Sequence, residues 1–130
     1  MTTETTPNGS SAYLVDSSGW LEYITEDTRA AEFAPYIEGE SPVIVPTIVL
    51  FEVYKKIRAD YGKTAAARFY SHALRHRTVP LDEKLAVAAA SLAHRLPACD
   101  AMIYATAQAF QAELITSDSH FQGLPGVVFV

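Results

Sequence analysis

The 130-residue chain has a single cysteine, Cys99, so no internal disulfide can form. A small thiol beside Ala98 reads as a packed residue in a reducing compartment, and a cytoplasmic protein is expected. Long apolar runs are also lacking. The best candidates, around Pro42 to Val53 and Ala86 to Ala93, are interrupted by Glu52 and Ser91, well short of the roughly 18 residues that cross a bilayer. Residues 1–11 carry neither the basic nor the apolar segment of a secretory leader, and their Thr, Pro, Asn, Gly and Ser predict a flexible tail. Basic residues are in deficit: 10 Lys and Arg stand against 15 Asp and Glu, a net charge of −5. That balance excludes binding of nucleic acid by bulk charge, so any such function must be local.

What is present is ordinary globular usage, 49% hydrophobic and 19% charged. A chain of this size buries roughly two thirds of its unfolded surface, enough for one domain, here residues 12–130, without structural metal. Short apolar runs alternate with helical patterns. Strands are predicted at Tyr13–Val15, Val43–Val45, Thr78–Pro80, Leu114–Thr116 and Val127–Val130. Ser17 and Ser18 read as helix-start residues. Helices are predicted from Arg29 to Ile37, from a Thr47 cap to about Asp60, from Lys63 to Arg77, from Asp82 or Glu83 to Arg95, and from Asp100 to Ala112. Parallel strands need helix-length crossovers, so the class is α/β, with a parallel sheet covered on both faces.

Most acidic residues fall on helix faces, where solvation is sufficient reason for them. Four do not: Asp16 ends the first strand, Asp118 follows the fourth, Asp100 sits at a helix start, and Glu52 interrupts an apolar helical run. Taken singly, Asp16 and Asp100 read as helix caps, Asp118 as an Asx turn and Glu52 as a partner of Lys56 one turn on. In open parallel sheets, however, ligands bind beyond the carboxyl ends of strands where the strand order reverses, and Asp16 and Asp118 lie at such ends.

Four segments carry these acids: Tyr13-Leu14-Val15-Asp16-Ser17, Ile48-Val49-Leu50-Phe51-Glu52-Val53, the helix start Leu96-Pro97-Ala98-Cys99-Asp100-Ala101, and Leu114-Ile115-Thr116-Ser117-Asp118-Ser119-His120-Phe121. In this order they resemble the PIN-domain family, above all its VapC-type toxin ribonucleases. The resemblance implies a three-layer α/β/α fold with strand order 3-2-1-4-5. It also implies an acidic quartet, Asp16, Glu52, Asp100 and Asp118, that binds Mg²⁺ or Mn²⁺ and cleaves RNA, with Ser17 assisting metal or water. A small antitoxin protein covering the site and a toxin homodimer are its implied partners, with Trp20, Phe33, Tyr36 and Tyr54 as contact candidates beside their packing role. One departure is Ser117, where many relatives place a basic residue.

Elementary electrostatics favours the cation. Two carboxylates about 4 Å apart repel by roughly 4 kcal/mol at an effective dielectric near 20, so four converging ones need a positive charge between them. Oxygen donors select hard ions such as Mg²⁺ or Mn²⁺, whereas Zn²⁺ prefers His or Cys. His72, His76 and His94 read as solvated helix residues and His120 as a turn residue. Lys55, Lys56, Arg58, Lys63, Arg68, Arg75 and Arg77 concentrate seven of the ten basic residues in two consecutive predicted helices, a candidate phosphate track for RNA. Gly62-Lys63-Thr64 is not a phosphate loop, because the required earlier Gly is Ile57. A nucleophilic triad lacks its elbow, and a phosphoacceptor receiver lacks paired acids after Asp16 and any Lys beyond Lys84. The expected function is a metal-dependent endoribonuclease acting as the toxin of a toxin–antitoxin pair. The alternatives are an RNA-processing nuclease without a toxin role and an inactive interaction domain.

Overall fold

Apolar runs too short for helices become the strands of the sheet. In the computed structural model, which describes residues 12–130, these are β1 (Tyr13–Val15), β2 (Ile44–Pro46), β3 (Arg77–Val79), β4 (Glu113–Thr116) and β5 (Val127–Phe129). All pairings are parallel, in the order β3-β2-β1-β4-β5, as expected. The predicted tail, residues 1–11, lies outside the described residues. Between the strands run α1 (Ser17–Thr25), α2 (Ala30–Ile37), α3 (Thr47–Tyr61), α4 (Lys63–Ala73), α5 (Glu83–Ala90) and α6 (Ala98–Ala109). Strand order steps one way from β1 to β3 and jumps back to β4. Right-handed crossovers therefore put α1–α4 and α5–α6 on opposite faces, giving three layers.

Burial on both faces explains why the inner strands are apolar without alternation. Leu14, Val15, Ile44, Val45, Leu114 and Ile115 are all 2% exposed or less. Helix α6 is buried along most of its circumference through Ala101, Ile103, Tyr104, Ala105, Thr106 and Ala107, which fixes the direction of its amino-terminal turn. Gly19 lets α1 sit close to its neighbours. A Cβ there would lie 2.6 Å from Phe33 Cε1 and 2.6 Å from Val15 Cγ1, nearer than packed carbon atoms approach. Gly62, at φ 94°, turns the chain from α3 straight into α4. Among the described residues no helix is long and apolar enough to cross a membrane.

Several boundaries differ from expectation. Thr47 is the first residue of α3 rather than its cap, and its Oγ1 instead accepts the Leu81 N–H at 3.3 Å, tying α3 to the segment after β3. The helix predicted to reach Arg77 stops at Ala73, because Arg77 pairs with β2 through an N–H bond to Val43 O at 3.0 Å. The next helix stops at Ala90 and continues only as turns to Arg95, and α6 opens at Ala98, placing Asp100 inside its first turn.

His72 and His76 are half-buried rather than fully solvated. With α4 ended early, the chain folds His76 back, and the two rings stack 5.5 Å apart, 22° from parallel, against Trp20 at 5.6 and 5.5 Å. His76 Nδ1 accepts the N–H of Val43 at 3.1 Å. Burial lowers the pKa of both histidines, and the Arg75 charge adds to it. His94 is exposed, as expected. Trp20 and Phe33 are wholly buried and are core residues rather than contact residues, while Tyr36 and Tyr54 are half-buried.

Candidate functional site

The strand order reverses between β1 and β4, and there the sheet delivers two carboxylates side by side. Val15 pairs with Ile115, and the Asp16 N–H continues the ladder to Ile115 O at 3.2 Å. The Asp118 segment leaves the adjacent strand two residues after Thr116. Glu52 comes from the second turn of α3 and Asp100 from the first turn of α6. All four acids line one cleft of ≈ 560 Å³, together with Ser17, Ser18, Lys55, Lys56 and Cys99.

Asp16 is 2% exposed and caps α1. Its Oδ1 accepts from Gly19 N–H and from Ser18 Oγ, both at 2.9 Å, and its Oδ2 accepts from Thr116 Oγ1 at 2.6 Å. Burial nevertheless dominates. It pushes the carboxyl up to about 6 against the pull of those hydrogen bonds, and the Asp118 charge pushes the same way. Thr116 is itself fully buried and serves both acids, because its Oγ1 also accepts the Asp118 N–H at 2.9 Å. One hydroxyl thus sets the register of the two carboxylate-bearing strand ends.

Asp118 forms the Asx turn expected of it, accepting the His120 N–H at 2.9 Å at the start of a short 3-10 turn, Ser119–Phe121. That turn brings the His120 ring against two of the cleft acids. Nδ1 lies 2.9 Å from Asp100 Oδ2 and 3.2 Å from Asp118 Oδ1. Burial raises the Asp100 pKa, Asp118 raises it further, and His120 works against both. Asp100, Asp118 and His120 each offer a donor atom within 4.8 Å of the others. Two hard carboxylates and an imidazole fit a divalent cation, with Asp16 and Glu52 on the adjoining wall.

Glu52 does not pair with Lys56, which bonds Asp60 instead at 3.2 Å. Its Oε1 accepts from Ser17 Oγ at 2.5 Å, so the hydroxyl after Asp16 holds the third acid of the cleft. Burial raises the Cys99 pKa, and neighbouring Glu52 raises it further, which favours the protonated thiol.

The basic residues separate. Lys55 and Lys56 stand on the cleft wall. Lys55 and Arg58 line an adjoining apolar groove of ≈ 790 Å³ with Leu50, Phe51, Tyr54 and Tyr70. Arg68 and Arg75 share a different depression with Thr64, Ser71 and His72. Arg77 belongs to β3 and lies over the Phe110 ring at 4.9 Å.

A profile of the PIN domain matches residues 13–127. The chain belongs to the PIN domain family. Among solved structures, this PIN domain is similar to a toxin–antitoxin complex from Klebsiella pneumoniae. The TM-score is 0.77 at 22% identity, covering 90% of this chain and 96% of that one. It is similar also to VapC20 of Mycobacterium tuberculosis, described as a sarcin–ricin loop cleaving toxin, at a TM-score of 0.75 and 19% identity, over 92% and 97% of the two chains. VapBC2 from Rickettsia felis, bound to a DNA fragment from its promoter, gives a TM-score of 0.71 at 16% identity, over 92% and 97%. At these identities the likeness is one of fold. A search of curated proteins found no match.

Three side chains around the cleft were given no site role from sequence. Thr116 carried a signal, a hydroxyl ending an apolar strand. His120 carried another, its spacing of two from Asp118, although its approach to Asp100 depends on α6. Ser18 stood two residues beyond Asp16 and was read only as a helix start.

Proposed function

We propose that this PIN domain is a metal-dependent endoribonuclease, the toxin of a type II toxin–antitoxin pair. The observation that carries the reading is the convergence of Asp16, Glu52, Asp100 and Asp118 on one cleft at the switch point of a parallel sheet. Asp16, Asp100 and Asp118 would hold Mg²⁺ or Mn²⁺, and Glu52 would join them or orient the attacking water. A bound cation supplies a more acidic water and charge opposite the leaving oxygen. The protein's own part is arrangement. Thr116 fixes the spacing of Asp16 and Asp118, Ser17 turns Glu52 inward, and Lys55 and Lys56 offer the phosphodiester backbone two cations at the rim. Lys56 shares its charge with Asp60, so Lys55 is the freer of the two.

Restraint by a small antitoxin protein agrees with the apolar groove that adjoins the cleft, where Phe51 is 59% exposed and Tyr70 45%. Homodimerisation is part of the same proposal. The deciding experiment is induced expression followed by mapping of new RNA 5′ ends, wild type against Asp100→Asn. New ends should appear only with the wild type. Purified protein should cleave RNA with Mn²⁺ or Mg²⁺ and stop with EDTA, and identical end maps from both chains would refute the assignment. Cleavage without toxicity would select an RNA-processing role, and an inert wild type an interaction domain.

A further inference from the structure

His120 is the group at the cleft that the acidic quartet leaves without a task. It is held by more than chance. Its N–H is fixed by Asp118 Oδ1 at 2.9 Å, and the next residue, Phe121, is wholly buried and anchors the turn. The ring is 56% exposed at the mouth while Nδ1 points inward to both carboxylates. Its separations from them, 2.9 and 3.2 Å, match the edge of an octahedron. Neighbouring donors on a six-coordinate ion with bonds near 2.1 Å stand about 3 Å apart. The Asx turn brings the ring to Asp118, and the same turn leaves Nδ1 facing Asp100 across the cleft. The outward nitrogen faces water, the partner that a ligating imidazole's second nitrogen needs.

We infer that His120 is a nitrogen ligand of the cation held by this cleft and makes the site prefer Mn²⁺ over Mg²⁺. The inference rests on the metal-dependent reading above and goes beyond it by adding a ligand type that the four acids lack. Mg²⁺ sheds water reluctantly and favours oxygen, so an imidazole strengthens binding of a first-row transition ion more than it strengthens binding of Mg²⁺.

The test uses the whole chain with Mn²⁺ or Mg²⁺ alone and no RNA. Pulsed electron paramagnetic resonance of the Mn²⁺-loaded protein should show coupling to an imidazole nitrogen, absent in His120→Ala. Calorimetry should show His120→Ala losing Mn²⁺ affinity by at least about 10-fold, the loss that even an outer-sphere partner of a ligand gives on removal, with Mg²⁺ affinity much less changed. His120→Gln, which keeps a hydrogen-bond donor but no imidazole, should behave like the alanine variant in the resonance experiment. Because the ring is half outside the protein, the variants should melt like the wild type, and circular dichroism checks this. Mn²⁺ bound by the wild type without nitrogen coupling, or with affinity unchanged in His120→Ala, would overturn the inference and leave the metal-dependent reading standing. A wild type that binds neither ion would overturn both.

Discussion

At the carboxyl edge of the sheet, burial raises the pKa of Asp16 and Asp100; where α4 and the segment after it meet Trp20 of α1, burial lowers that of His72 and His76. In the cleft the penalised form is the charged one that the proposed chemistry needs, and four acids share a small volume. Around Trp20 the favoured form is neutral, and the half-buried rings stack on one another against the core indole. The first region is held in an unfavourable charge state by the rest of the fold, and the second is part of what holds it.

The largest effect should come from the aromatic side. Trp20→Ala removes a wholly buried indole and should cost about 3–5 kcal/mol, read as a lower urea midpoint. An equal change in cleavage by folded protein would break the contrast, since Trp20 does not line the cleft.

Asp16→Asn should move stability the other way. The ionised carboxylate, with its pKa at about 6 instead of 3.8, weakens the metal-free fold as pH rises from about 4 through 6, by up to about 3 kcal/mol at neutral pH. Imperfect replacement of the Gly19 and Thr116 hydrogen bonds offsets part of this. A net gain of about 1–2 kcal/mol in unfolding free energy is expected at pH 7.5 in EDTA, vanishing near pH 4, together with loss of RNA cleavage. A variant less stable than wild type at pH 7.5 would show that Asp16 is structural.

Thr116→Val should cost about 1.5–3 kcal/mol and lower cleavage, because Asp16 loses a donor and the Asp118 N–H loses its acceptor. Asp118→Asn leaves that N–H bond in place, so only the threonine variant should lose stability in a urea titration.

The smallest effect concerns acid. The lowered histidine pKa values mean that folded protein takes up protons less readily than the unfolded chain, so stability falls as pH drops below the ordinary 6.5. His72→Phe should flatten that limb of a thermal-melt profile while keeping the stack on Trp20. An unchanged limb would assign the acid response elsewhere.

Much of the fold was legible because the inner strands are short, apolar and punctuated by helix-start residues, as at Tyr13–Val15 before Ser17. The quartet was legible only as a set: each acid alone has an ordinary reading as cap, turn or ion-pair partner, and it is the four segments in order that bring them together. What escaped depends on tertiary partners. Nothing local ends α4 at Ala73. The pairing of Arg77 with β2 does so, and it half-buries two histidines whose basic surroundings suggested solvent. The proposed phosphate track divided for the same reason, since helical spacing cannot tell which side of α4 meets α3. His120 was read correctly as a turn residue, but its approach to Asp100 needs an element twenty positions earlier in the chain.

The Thr116–Asp16 hydrogen bond joins residues 100 positions apart. During vectorial synthesis the segment from β1 through α4 therefore emerges without the hydroxyl that aligns its first acid, and closing so long a span is slow compared with forming local helices. Until β4 has slotted beside β1, the emerging chain lacks both the partner of Asp16 and the strand end that carries Asp118.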